Sequence, residues 1–184
     1  MKYNEKLVKS CIGVEVVIEI LIVPVKVEQK EILKNLIEKY EYEFSQYNKC
    51  DVDENGLFNY EYLDLYWQEE KRWPYFVLVD GKIAGFTMVN TYHEVEEDTD
   101  YTLSEFFIMH KYRRLGIGKY VAMRIFNMFH GKWQLKCHPN NIISVQFWDN
   151  VINEYTRGEY KLIKDYPNSE YEDGTLANVY LFNN

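Results

Sequence analysis

Apolar and polar positions follow two different periods along this chain. In residues 75–90, YFVLVDGKIAGFTMVN, two apolar runs flank Asp80-Gly81. Asp and Gly tolerate the positive φ angles of a type I′ turn, so this stretch predicts a β-hairpin. Upstream, VEVVIEILIVPVKV (14–27) is β-branched and extended in character and reads as the first strand. Residues 1–14 form an N-terminal extension with no role assigned by the pattern. From Glu28 to Phe44 the apolar positions are Ile32, Leu33, Leu36, Ile37, Tyr40 and Phe44, a helical spacing. Residues 48–75 read as loop, with one short helix around Tyr60 to Gln68. HEVEEDTD (93–100) is an acidic connection, and LSEFFIM (103–109) is a buried strand. A helix follows with Ile117, Val121, Ile125, Met128 and Phe129 on one face, ending near Gly131. KWQLKCH (132–138) is a further strand. Asn140 or Asn141 can cap a helix running to about Val151. YKLIKDYP and TLANVYLFN supply two last strands. This order predicts one mixed α/β domain over residues 1–184, a sheet with helices on both faces.

Composition narrows the class. With 184 residues, 47% hydrophobic and 27% charged, the chain can bury one sizeable core. A formal net charge of -8 argues against a nucleic-acid partner, which needs a large basic footprint. Cys11, Cys50 and Cys137 lie far apart, with no Cys-x-x-Cys or His-x-x-x-His spacing. That speaks against a zinc site or a disulfide framework and fits a reducing cytosol. The apolar run from Ile12 to Val27 is broken by Glu15, Glu19, Pro24 and Lys26, so it does not span a bilayer. No small-residue cleavage site follows it, so it reads as strand rather than signal peptide. The expectation is a cytoplasmic protein with no membrane partner and no metal.

One local feature runs against the overall charge. HKYRRLGIGKY (110–120) opens a stretch holding Lys111, Arg113, Arg114, Lys119 and Arg124 with no Asp or Glu, around Gly116 and Gly118. It follows a buried strand and opens a helix, where free N–H groups and the helix dipole favour an anion. A phosphate-bearing ligand is the natural reading. The Gly-x-x-x-x-Gly-Lys-Ser/Thr loop fails here, because its first glycine falls on Arg113 and its Ser/Thr on Tyr120. The dinucleotide fingerprint fails because its third glycine falls on Val121. The pattern Arg/Gln-x-x-Gly-x-Gly/Ala is met by Arg113, Gly116 and Gly118.

That pattern, within EFFIMHKYRRLGIGKYVAMRIF, resembles the pyrophosphate loop of the GNAT superfamily of acetyl-coenzyme A-dependent N-acetyltransferases. The Asp-Gly hairpin resembles the family's second and third strands. NNIISVQFWDNVI resembles its later motif, with Asn141, Ser144 and Phe147 in place. The likeness runs from about residue 20 to 182 in element order and is close from 75 to 150. It implies a mostly antiparallel sheet of about seven strands, splayed between the fourth and fifth. It implies that amides from Arg114 through Leu115, Gly116, Ile117 and Gly118 to Lys119 hold the coenzyme A pyrophosphate. Arg113, Arg114 and Lys119 would neutralise it. The free strand edge at Phe107, Ile108 and Met109 would pair with the pantetheine arm. Family members are often homodimers, and no metal is implied.

Transfer to an amine needs a base, because a free alkylamine is mostly protonated at neutral pH. Glu105 stands where family members often carry an acidic residue, and burial would raise its pKa. Otherwise it is a strand-end carboxylate paired with a nearby cation. The tyrosine that protonates the leaving thiolate in many relatives is here Trp148, whose indole is no practical acid. Tyr155 and Tyr160 are substitutes, or solvent and amides assist. Cys137-His138 is a less suitable nucleophile and base, since neighbouring strand residues point to opposite faces.

Residues 51–62, DVDENGLFNYEY, match calcium-loop positions 1, 3, 5 and 6 at Asp51, Asp53, Asn55 and Gly56. The bidentate Glu at position 12 is replaced by Tyr62, so an Asp/Asn-rich turn fits better. The resemblance implies that residues 40–75, between the family's first and second strands, form the acceptor wall, here with Tyr40, Tyr42, Tyr47, Tyr60, Tyr62, Tyr66, Trp67, Trp73 and Tyr75. Nine acidic residues against three basic ones in that segment favour a cationic amine. Polyamines, aminoglycoside-like amines and lysine side chains all qualify. The sequence therefore predicts an acetyl-coenzyme A:amine N-acetyltransferase. The alternatives are a non-catalytic acyl-coenzyme A binding module and, third, a calcium-responsive interaction protein.

Overall fold

The structure, a computed structural model, describes the backbone of residues 3–11 and 14–184 and side chains from residue 18 onward. Residues 1, 2, 12 and 13, part of the expected N-terminal extension, lie outside the described residues. The elements are β1 (Tyr3–Cys11), β2 (Val14–Pro24), α1 (Lys30–Asn48), α2 (Leu65–Gln68), β3 (Arg72–Val79) and β4 (Lys82–Asn90). They continue with β5 (Tyr101–Ile108), α3 (Ile117–Met128), β6 (Lys132–Cys137), α4 (Ile142–Thr156), β7 (Tyr160–Ile163) and β8 (Asn178–Asn183). Among the described residues, eight strands form one sheet in the order β1-β2-β3-β4-β5-β6-β8-β7. The sequence pattern leads to about seven. The additional strand is β1, which pairs antiparallel with β2 from Tyr3↔Ile22 to Cys11↔Val14.

Alternation along the central strands distributes the core to both faces of the sheet. Phe76, Phe86, Met88 and Phe107 pack with Leu33, Leu36 and Ile37 of α1. Tyr75, Val77, Val79 and Ala84 join Ile117, Val121, Ile125 and Phe126 of α3 on the other face. Strands buried on both sides read as nearly continuous apolar runs, which is how β3 and β4 look in the sequence. The turn between them has φ of 47° at Asp80 and 72° at Gly81, as a type I′ hairpin requires. Helix α1 runs past Phe44 to Asn48 and stops at Lys49, whose φ of 63° turns the chain left-handed. Helix α4 is five residues longer than the sequence suggests, ending at Thr156. Among the described residues no helix is long and apolar enough to cross a membrane.

The feature that positions the site is a parting of strands. All neighbours pair antiparallel except β5 and β6. These two run parallel and meet only at Tyr101↔Trp133 and Thr102↔Gln134. Counted from β2, they are the fourth and fifth strands, where the splay was expected. Beyond Thr102 the strands diverge. Phe106 of β5 packs there against Phe147 and Trp148 of α4, at ring-centroid distances of 5.8 and 5.1 Å.

Close approach of β4 to β5 depends on Gly85. A Cβ there would lie 2.0 Å from the Phe107 carbonyl oxygen, a backbone atom that cannot rotate away. Gly85→Ala should therefore cost about 1–3 kcal/mol, as overpacking does. Thermal denaturation should show a fall in Tm of about 2–4 °C for each kcal/mol lost. An unchanged Tm would mean that the two strands do not approach so closely.

Candidate active site

The basic loop is built as the strand-loop-helix reading requires. After β5 the chain makes a short 3-10 turn, His110–Tyr112, and passes through left-handed backbone at Arg114 (φ 60°) and Gly116 (φ 81°). Gly116 is the N-cap of α3 and has no side chain to donate a cap. The first helical bond is Tyr120 N–H to the Gly116 carbonyl, at 3.1 Å. The preceding amides, from Ile117 to Lys119, thus face outward at the positive end of the dipole. Gly118 serves a different purpose. A Cβ there would meet Phe147 Cε2 at 3.2 Å and Ile108 Cγ1 at 3.7 Å. Three expected cofactor residues from separate elements therefore converge on the splay. Leu115 packs against the core beneath the loop, and Ile117 is fully buried.

The charges of the loop are not all directed outward. Arg113 Nε donates to the Ile108 carbonyl at 2.6 Å, and its Nη2 donates to Glu43 Oε2 of α1 at 2.6 Å. His110 Nε2 lies 2.9 Å from the other oxygen of Glu43. The Arg113 guanidinium also covers the Phe107 ring. Arg113, expected to face the pyrophosphate, thus ties the loop to α1 instead. Lys119 is paired with Glu154. Arg114 is exposed and has no protein partner among the described residues.

The strand edge is open on the expected side. Met109 N–H donates to the Ala84 carbonyl at 2.8 Å. Alternation then turns the backbone groups of Phe107 toward β4 as well, and those of Phe106 and Ile108 toward the gap. Of the three residues expected at this edge, Ile108 faces it, and Phe106 joins it. At the start of α4, the Asn141 side chain accepts the Ser144 N–H at 3.1 Å, so both residues form the cap. Both also line the cleft.

That cleft has a volume of about 970 Å³ and runs from the splay to the acceptor wall. At the splay end it touches Phe106, Leu135, Cys137 and Trp148. Glu105 projects into it on the α1 side. Tyr60 Oη donates to Glu105 Oε1 at 3.0 Å, and Tyr40 of α1 lines the same cleft. Burial, then the neighbouring Glu41 carboxyl, pushes the Glu105 pKa up to about 8. The same causes act on Glu41, raised to about 7 by burial and then by Glu172 and Glu38. No cation pairs with Glu105, Glu41 or Glu172 among the described residues. The simple alternative for Glu105, an ion-paired strand end, is thus not what the structure shows.

Of the nine aromatic residues expected in the acceptor wall, Tyr40, Tyr60 and Tyr62 line the cleft. Trp73 and Tyr75 pack against Phe129 on the opposite face. Tyr66 is buried, bound to Asn90, and Trp67 donates to the Val25 carbonyl. Tyr42 is 72% exposed. The acidity comes partly from elsewhere: Glu94 precedes β5, and Glu170 and Glu172 lie between β7 and β8. Two lining cations are each held by a carboxylate, Arg72 by Glu69 and Lys136 by Glu94. The 164–177 segment, with Tyr171, Lys136 and His138 beside it, carries no motif, and only the folded chain brings it to the cleft.

Several secondary expectations change. Tyr155 Oη donates to Asn127, and Tyr160 stacks on Tyr180; neither lines the cleft. They are therefore out of reach of a departing thiolate. Cys137 and His138 both line it, because His138 lies past the end of β6. Burial pushes the Cys137 thiol up to about 12, which leaves no thiolate nucleophile. The calcium-like turn is closed by its own side chains. Asp53 Oδ1 accepts from the Asn55 and Leu57 amides, and Oδ2 accepts from Asn59 and Asn55. These bonds, Leu57 foremost, hold the Asp53 pKa down at about 2.

Comparison with known proteins gives the same answer as the geometry. An acetyltransferase crystal structure from Thermus thermophilus superposes with a TM-score of 0.64 at 13% identity, covering 90% of this chain and 97% of that one. PaiA N-acetyltransferase from Thermoplasma acidophilum, in complex with coenzyme A, gives 0.57 at 12% identity, over 90% and 99% of the two chains. RimL, a ribosomal L7/L12 alpha-N-protein acetyltransferase in complex with coenzyme A, gives 0.57 at 12%, over 89% and 93%. At these identities the likeness establishes the fold. None of the curated proteins matches the chain in sequence. The sequence model of the acetyltransferase (GNAT) family matches residues 33–151, from α1 through the loop and into α4, and the chain belongs to that family.

Proposed function

We propose that this protein transfers an acetyl group from acetyl-coenzyme A directly to a primary amine of a cationic acceptor. The observation that carries the reading is Glu105. It is a carboxyl with no cation partner among the described residues, bonded to the Tyr60 phenol in an acidic cleft that opens onto the splay. The pyrophosphate would rest on the amides of 114–119, with Arg114 as its cation. The pantetheine would follow the gap beside Phe106 and Ile108, placing the thioester near Glu105. Backbone N–H groups at that edge would stabilise the oxyanion. A base with a pKa near 8 is well matched to an ammonium substrate, since proton transfer works best near the operating pH. Glu41, Glu94 and Glu172 would attract the cation and repel anionic competitors.

The retained alternative is an acyl-coenzyme A binding module. It is favoured by one feature: Trp148 is buried against Phe106, and neither tyrosine substitute reaches the cleft. A screen of polyamines, aminoglycosides and lysine peptides with acetyl-coenzyme A, following thiol release, separates the two. Amine-dependent thiol release is the expected result. Coenzyme A binding without release for any amine would favour the module.

A further inference from the structure

We propose that Tyr60 is a positioning residue that clamps the Glu105 carboxylate. This rests on the N-acetyltransferase reading, in which Glu105 takes the proton of the amine. Tyr60 and Tyr40, which line the cleft beside Glu105, come from separate parts of the chain. Tyr40 comes from α1, where its ring is wedged among Phe44, Phe86 and Phe107. Tyr60 comes from a segment with little regular structure of its own. That segment is nevertheless firmly tied down: Glu38 of α1 accepts the Phe58 and Asn59 amides at 2.9 and 3.1 Å. The Asp53 turn closes on Asn59 from the other side. The result of this bracing is a phenol delivered to Glu105 Oε1 at 3.0 Å.

Phenols suit the task where a cation would not. A salt bridge from Arg or Lys would hold the carboxylate ionised but strip it of basicity. A neutral donor orients the anion and leaves it a base. Burial and the Glu105 charge keep both phenols protonated, with pKa values well above 10.0. They can therefore only donate to the ionised carboxylate.

The groups facing Glu105 pull in opposite directions. Glu41 from α1 and Glu94 from the connection before β5 raise its proton affinity, and Tyr40 and Tyr60 lower it. Tyr66 of α2 and Tyr171 of the 164–177 segment also feel its charge. Lys136 of β6 stands on the far side, paired with Glu94. The hydroxyls thus offset part of the acidic crowding.

The test uses infrared titration of the carboxylic C=O band, assigned by subtraction of the Glu105→Gln spectrum. Tyr60→Phe keeps the ring and removes the donor. It should move the Glu105 titration to higher pH by about one unit, the size expected for a lost hydrogen bond to an ionised group. The acid limb of kcat should follow by the same increment, with the KM for acetyl-coenzyme A unchanged. A Glu105 titration unmoved in Tyr60→Phe overturns the clamp. A shifted titration with no amine transfer by the wild type upholds the clamp and rejects the N-acetyltransferase reading instead.

Discussion

Glu105→Gln should lower turnover with a cognate amine by about 10²–10⁴-fold, the usual share of a general base. Coenzyme A affinity should hardly change, because the carboxyl lies on the α1 side of the cleft and away from the loop amides. The wild-type kcat should rise with pH around 8, as Glu105 ionises. The variant should lack that limb and recover part of its rate at higher pH, where the amine itself is neutral. A residue that merely anchors the acceptor would raise KM and leave kcat nearly intact. Full turnover by the variant at neutral pH would place the base elsewhere. The same substitution should act on stability with a defined sign. The folded-state pKa of Glu105 lies above the ordinary carboxyl value, so the folded state holds its proton more tightly than the unfolded state. Stability must then fall as pH rises from about 4.5 toward 8, and stay reduced above it. Gln carries no such penalty. Urea titrations at pH 8.5 should therefore find Glu105→Gln more stable than wild type, and no such difference at pH 4. A base held buried beside other carboxyls costs the fold stability, and this comparison reads that cost directly.

Gly118→Val should abolish coenzyme A binding measured by calorimetry while the protein stays folded by circular dichroism. The added side chain must enter space held by the Phe147 ring, 3.2 Å from the new Cβ. Ring and helix can separate only by disturbing the splay, where the expected pantetheine path runs. Gly116→Val should weaken binding for a different reason. Its φ of 81° is left-handed, which costs an L-residue about 1–2 kcal/mol, and relaxation would redirect the amides that open α3. Coenzyme A binding at wild-type affinity by both variants would reject the loop as the pyrophosphate site. Arg114→Ala provides a milder companion: it removes the exposed charge and leaves the backbone cradle. Arg113→Ala should instead loosen α1, because its partners are Glu43 and the Ile108 carbonyl.

The parts of this protein that the sequence by itself determined are those encoded by neighbouring residues. The Asp80-Gly81 hairpin was legible because a tight turn needs positive φ at two successive positions, and those residue types supply it. The α1 and α3 faces followed from the 3.6-residue period, and the glycine loop from a six-residue pattern between a strand and a helix. Asn141 and Ser144 share one cap, so their spacing is local too. Glu105 stood out because one acidic residue heads an apolar run.

Only the tertiary structure decided what depends on distant segments meeting. Glu94, Tyr171 and Glu172 reach the cleft because β5, β6 and β8 are neighbours in the sheet, a pairing that leaves no period in the chain. Trp73 and Tyr75 left the acceptor wall because strand alternation places them on the α3 face. Arg113 turned inward because Glu43, 70 residues away, stood within hydrogen-bond reach. The proton affinity of Glu105 was likewise beyond local reading. It is set by burial, by Glu41 and Glu94, and by two phenols from separate segments, all acting through space rather than along the chain.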